Sequence, residues 1–329
     1  MRIFNTPNHT KMRKLFAISL MFISFSAAQA QTREQGPWWP HPLWGAGDQA
    51  GASNWITPEK ILKASKWITT GKLYELGQIY EREMFVPDNR TFQLFIPSFP
   101  TYGPMGEDRV VFNDEVLIAQ IGQVGTQFDG LGHPGMQVDM EDGTTTEVFY
   151  NGYTTAEMKD PFGLKKLGIE HIKPIITNGI LIDMAASLEQ DPLDNGYEVS
   201  LQEVKEALLR QGMTEEDITP GDALLFNFGW WRNWHTDLAM DGVRRPRISM
   251  EVVQWLIEKR PSMVGSDTIL DGDVFNAHVE LTLKNGIFNL EWMNFEELTA
   301  DKVYQFMFIF TPLRIKGATG SPGRPLAIK

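Results

Sequence analysis

Three stretches of the chain carry apolar residues at helical spacing behind a capping signal. Thr57 precedes Pro58, and Ile61, Leu62, Ala64 and Ile68 follow before Gly71 stops the run. Ser200-Leu201-Gln202-Glu203 has the form of a capping box, with Leu201, Val204, Ala207 and Leu208 facing inward and Gly212 closing the helix. Ser249 opens a third helix that turns Val252, Val253, Leu256 and Ile257 inward, with Pro261 beyond its end. Short β-rich segments lie at residues 91–96, 116–121, 175–182, 223–228 and 303–311. Several are almost continuously apolar, which predicts strands covered on both faces. The mixture predicts an α/β fold, a single domain around a buried central mixed sheet. No repeat, low-complexity tract or linker interrupts it, and Trp38, Trp39, Pro40, Pro42 and Trp44 are expected to pack over its body.

The N-terminus follows another pattern. Lys11, Arg13 and Lys14 precede an apolar run over residues 15–25, and Ala28-Gln29-Ala30 ends a small-residue stretch. This predicts a secretory signal peptide over residues 1–30, cleaved after Ala30, leaving a periplasmic or secreted domain of residues 31–329. The run is too short for a permanent span. The sequence has no cysteine, which excludes a lipoprotein, disulfides, thiolate metal sites and a cysteine nucleophile. The net charge of −12 becomes −16 once residues 1–30 leave, since they hold four basic and no acidic residues. That charge argues against sequence-independent nucleic-acid binding and adsorption to anionic lipid. The expected partner is a small molecule, with no nucleic acid and no membrane after cleavage.

The chemistry concentrates in residues 123–133, where Gln123, Gln127, Asp129 and His133 recur among small residues behind an apolar strand. A carboxylate and an imidazole four residues apart fit a metal site or an acid–base pair. They fit equally a turn whose Asp caps backbone N–H groups and whose His is a satisfied core residue. Gly125, Gly130 and Gly132 would let the backbone turn closely around a bound group.

The segment resembles the H-x-G-T-H-x-D-x-x-x-H signature of the cyclase/kynurenine-formamidase family of metal-dependent hydrolases. Gly125, Thr126, Asp129 and His133 match in register, while Gln123 and Gln127 replace the two earlier histidines. Trp44-Gly45-Ala46 with Asp48, Gly221-Asp222, Gly229-Trp230, Gly265-Ser266-Asp267 and the ending at residues 316–322 are similar to further family blocks. So is His278 followed by Gly286-Ile287 and Glu291, with a His–Glu gap one residue longer than the commonest form. The resemblance implies a swivelling β/β/α arrangement and a homo-oligomer, dimer or larger. It implies one divalent ion per chain, Mn or Zn, on Asp129, His278 and Glu291, with Gln127 as a fourth ligand. His133 would be the catalytic acid or base. Gln123 and Thr126 would support ligands or touch substrate, and Gln127 has this supporting role as its alternative. An amide oxygen is a weaker, harder donor than imidazole, so two zinc ions are not expected. The implied function is a secreted metal-dependent hydrolase opening an amide, lactam or N-formyl C–N bond by metal-activated water. The alternatives are a cyclase or dehydratase using the same site, and a non-catalytic periplasmic small-molecule-binding protein.

Overall fold

Nine short strands pair into one sheet: β1 (Leu73–Glu75), β2 (Gln127–Asp129), β3 (Ile175–Asp183), β4 (Ala223–Asn227), β5 (Met263–Ser266), β6 (Phe288–Glu291), β7 (Gln305–Phe310), β8 (Gly320–Pro322) and β9 (Leu326–Ile328). Their order is β1-β9-β7-β3-β4-β5-β6-β2-β8. The computed structural model describes residues 36–329 except 88, 141–142, 237–243 and 272–274. The expected signal peptide lies outside the described residues. Among them, no helix is long and apolar enough to cross a membrane.

Strands β3 to β6 run parallel, and their outer neighbours join antiparallel. Parallel neighbours need long crossovers, and helices supply two of them. Helices α1 (Pro58–Ala64), α2 (Leu201–Arg210) and α3 (Met250–Lys259) start at the expected caps. The Thr57 hydroxyl accepts from Lys60 N, Ser200 and Glu203 form the reciprocal box, and the Ser249 hydroxyl accepts from Val252 N. Helix α2 joins β3 to β4 and buries Val204, Ala207 and Leu208. Helix α3 joins β4 to β5 and buries Val252, Val253, Trp255 and Leu256. Every residue of β4, β5 and β6 is buried, as their apolar character predicts for a sheet covered on both faces. The expected α/β fold with a buried central mixed sheet is the one observed.

Two expectations are corrected. The segments at 91–96 and 116–121 contribute no strand to the sheet. Phe92–Phe95 pairs instead with Val116–Ala119 in a separate two-stranded ribbon whose side chains are largely exposed. An apolar run says that a strand wants cover, not which surface supplies it. Gly130 and Gly132 likewise admit neighbouring chain and not a bound group. A Cβ on Gly130 would stand 2.6 Å from the Thr319 carbonyl oxygen, and one on Gly132 would meet the Leu164 side chain at 2.3 Å.

The functional end of the sheet depends on the pairing of β2 with β6. Gln127 lies opposite Glu291, Phe128 opposite Leu290, and Asp129 opposite Asn289. Side chains alternate along a strand, so Phe128 and Leu290 share one face while the four polar side chains share the other. The Phe128 ring sits 5.0 Å from both the Phe288 and Phe310 rings. Behind β5, the buried Asp267 carboxylate accepts N–H groups from Phe228 at 3.0 Å and Trp231 at 3.2 Å, holding the turn after β4. Burial pushes its pKa up to about 7 against those hydrogen bonds.

Two outcomes follow. Phe128→Ala empties the contact between three rings and should destabilise the fold by about 3–5 kcal/mol in urea unfolding. Asp267 binds its proton more tightly in the folded than in the unfolded chain. Its contribution is therefore full below the unfolded carboxyl range and is lost as pH rises towards about 7. Asp267→Asn should match the wild type most closely near acid pH and gain on it near pH 8, read as urea midpoints. A pH-independent gap would contradict this.

Candidate metal centre

The polar teeth of β2 and β6 meet a histidine from the segment between β5 and β6. His278 opens a π-helix, His278–Lys284. Its Nε2 lies 3.3 Å from Asp129 Oδ2 and 3.3 Å from Glu291 Oε1. The three residues are buried, and their ligand atoms lie within 4.8 Å of one another. Two edges of this length are what a tetrahedral ion bound at ~2.0 Å would span. One imidazole and two carboxylates form a suitable donor set for a divalent ion. The longer His–Glu gap does not displace Glu291. A π-helix winds more residues per turn than an α-helix, so the segment takes up length before β6 begins.

Each carboxylate is also held from behind. Asp129 accepts from Gln123 Nε2 at 3.3 Å and Asn289 Nδ2 at 3.4 Å. Glu291 accepts from Gln127 Nε2 at 2.8 Å and Asn289 Nδ2 at 2.8 Å. Facing a carboxylate, only the nitrogen of an amide attracts. Gln127 thus turns its nitrogen to Glu291, and its oxygen accepts from Arg90 at 3.4 Å. Asp271 orients His278: its Oδ2 lies 2.9 Å from the ring Nδ1 and accepts the His278 backbone N–H at 3.0 Å. That leaves Nε2 aimed at Asp129 and Glu291, the arrangement typical of a metal-bound histidine with a carboxylate behind it.

The electrostatics describe a site that needs a cation. Burial pushes the His278 imidazole down, but hydrogen bonds with Asp129, Asp271 and Glu291 outweigh it and hold the ring well above the usual histidine range. Burial pushes the Asp129 carboxyl up, and the nearby His133 and the hydrogen bond with His278 reverse this and hold it low. A proton on His278 supplies positive charge beside the two carboxylates. An ion taking Nε2 displaces that proton.

His133 Nε2 lies 3.7 Å from Asp129 Oδ1, on the side open to a cavity of about 310 Å³. Arg90, Gln127, Phe275, His278 and Glu291 also line it. The structure therefore brings together Gln123, Gln127, Asp129, His133, His278 and Glu291. Thr126 stands apart. It is fully buried, donates to the Trp292 carbonyl at 2.7 Å and accepts from Gln78 N at 2.7 Å, which ties the loop to its neighbours. Gly125 holds φ +64° against the Tyr80 ring.

Sequence reasoning missed Asn289, Asp271 and Arg90. Asn289 carried a signal, since it stands two residues before Glu291 on a strand and so shares its face. Asp271 and Arg90 sit outside regular elements, where spacing carries no message. Removing the acceptor that orients His278 should be felt directly. Asp271→Ala should lower divalent-ion affinity by about 10–100-fold, measured by competition with a chromogenic chelator. Unchanged affinity would show that His278 is oriented by something else.

Comparison with known proteins identifies the family and the fold. The Cyclase family profile matches residues 44–270. A crystal structure of a novel cyclase is 27% identical, with a TM-score of 0.74, covering 87% of this chain and 96% of its own. Isatin hydrolase A from Ralstonia solanacearum is 17% identical, with a TM-score of 0.51 over 83% of this chain and 97% of its own. An isatin hydrolase bound to the product analogue thioisatinate is 18% identical, with a TM-score of 0.52 over 83% of this chain and 98% of its own. No curated protein sequence matches significantly. With its signature loop inside the matched segment and its architecture shared by a solved cyclase, the chain belongs to the Cyclase family.

Proposed function

We propose that this protein is a metal-dependent hydrolase that opens a C–N bond in a small amide, lactam or N-formyl substrate. The observation that carries this reading is the buried triangle of Asp129, His278 and Glu291, of which His278 and Glu291 line a cavity that has His133 on its wall. The solved relatives include isatin hydrolases, which suggests a cyclic amide as the first compound to test.

Asp129, His278 and Glu291 would hold one divalent ion per chain, Mn or Zn. Gln127 and Gln123 would position the carboxylates, since each turns its amide nitrogen towards one. A bound ion supplies a lowered pKa for water and polarises a carbonyl. His133 lines the cavity, with its Nε2 3.7 Å from Asp129 Oδ1. It takes the proton from the attacking water and returns it to the leaving nitrogen. Arg90, held by Gln127 Oε1 and the Gln123 carbonyl, presents its guanidinium to the same cavity. It binds the carbonyl oxygen of the substrate or the carboxylate formed from it. The same reading includes export and action on a small molecule in the periplasm or outside the cell.

Metal analysis and turnover together test it. The purified protein should contain about one manganese or zinc per chain, hydrolyse isatin or a related lactam, and lose that activity to a chelator. His133→Ala should keep the metal and lose about 10²–10⁴-fold in turnover. His278→Ala should lose the metal itself. A protein that stays metal-free after dialysis against Mn²⁺ and Zn²⁺, yet binds small ligands, would replace this reading with a non-catalytic binding protein.

A further inference from the structure

Residues 91–120 form an arm outside the sheet. It leaves the body after Arg90 and returns just before Gln123. The Thr91 and Gln120 backbones pair at its base, where Thr91 N also donates to Gln120 Oε1 at 2.6 Å. Phe92–Phe95 pairs with Val116–Ala119, and Tyr102–Met105 pairs with Val110–Phe112 beyond them. Among the described residues, these strands pair only with one another. Twelve large apolar side chains between Leu94 and Ile118 are exposed, from 37% for Ile96 to 76% for Phe99.

The exposure covers both faces of the ribbon. Leu94 lies opposite Leu117, and the next pair, Phe95 opposite Val116, points the other way. All four side chains are more than a third exposed. A two-stranded ribbon is marginal in water on its own, and one with two bare apolar faces needs a covering surface. Twelve half-exposed large side chains offer on the order of 1,000 Å², well above the largest patch of an ordinary monomer.

We propose that this arm is the dimerisation element, and that it packs on the same arm of a second copy of the chain. The area matches what a stable interface requires from each partner, about 800 Å². The free edges match as well. Each ribbon has unpaired strand edges that a two-fold axis can set against the same edges of another copy. A lipid surface fits poorly. Open strand edges cannot enter hydrocarbon without stranding their backbone groups. The arm also carries Glu107, Asp108, Asp114 and Glu115 against the single cation Arg109, a charge that anionic headgroups repel.

The test uses the purified full chain in analytical ultracentrifugation. The wild type should sediment at twice the chain mass, or a higher even multiple. The double variant Leu94→Glu and Leu117→Glu should sediment as a monomer with an unchanged far-ultraviolet spectrum, since both side chains project from the body. Val111→Cys adds the only thiol to a chain without cysteine. Mild oxidation should then yield a covalent dimer, whereas Leu209→Cys, exposed on helix α2, should not. A monomeric wild type would overturn the proposal, as would a double variant that keeps the wild-type mass. Flotation of the wild type with phosphatidylcholine vesicles would also overturn it and assign the arm to lipid.

Discussion

One strand register holds the site together. Phe128 and Leu290 face each other inside the core, so Gln127, Asp129, Asn289 and Glu291 must face outward together. A slip of β2 by one residue would send the Asp129 carboxylate into the packed rings of Phe288 and Phe310 and bring Phe128 out to the cavity. The aromatic contact thereby enforces the spacing of the metal ligands. Strand β8 guards the opposite edge of β2, with Gly320 paired to Asp129 and too little room there for any Cβ. The chemistry at one end of the sheet is thus tied to packing that never touches it.

Much of the frame was legible before any coordinates. Helices α2 and α3 start where Ser200 and Ser249 place them, because a cap is a local contract between a hydroxyl and a nearby backbone N–H. Residues 175–182 and 223–228 were legible because burial on both faces leaves an unbroken apolar run. The same reasoning misplaced residues 91–96 and 116–121. Their composition demands burial as loudly as that of β4, yet their own chain does not provide it. At the site, Asp129 and His133 were recognisable by resemblance. The relation of His278 to Glu291 required the π-helix, since spacing along a chain does not reveal how tightly the chain winds. Asp271 was not legible at all, because no regular spacing relates it to a ring seven residues away.

Several residues that resemble family blocks prove to be framework. Asp267 holds the turn after β4 through backbone N–H groups, and Asp222 receives the half-buried Lys60 ammonium. Thr126 bridges two backbone segments behind the cavity. Gly130 and Gly132 are small because other chain segments crowd them. A signature therefore mixes two demands: some of its residues meet the ligand, and others keep the loop narrow enough for those to meet.

The two glutamines have a further consequence. An imidazole changes character within the physiological range, acting as a donor on both nitrogens when protonated and as an acceptor on one when neutral. An amide does not. Gln123 and Gln127 offer Asp129 and Glu291 the same N–H groups in acid and in base. These two supports of the carboxylate ligands are therefore proton-silent. Histidines at these two positions would instead have changed their hydrogen-bonding character as the acidity of the surroundings changed.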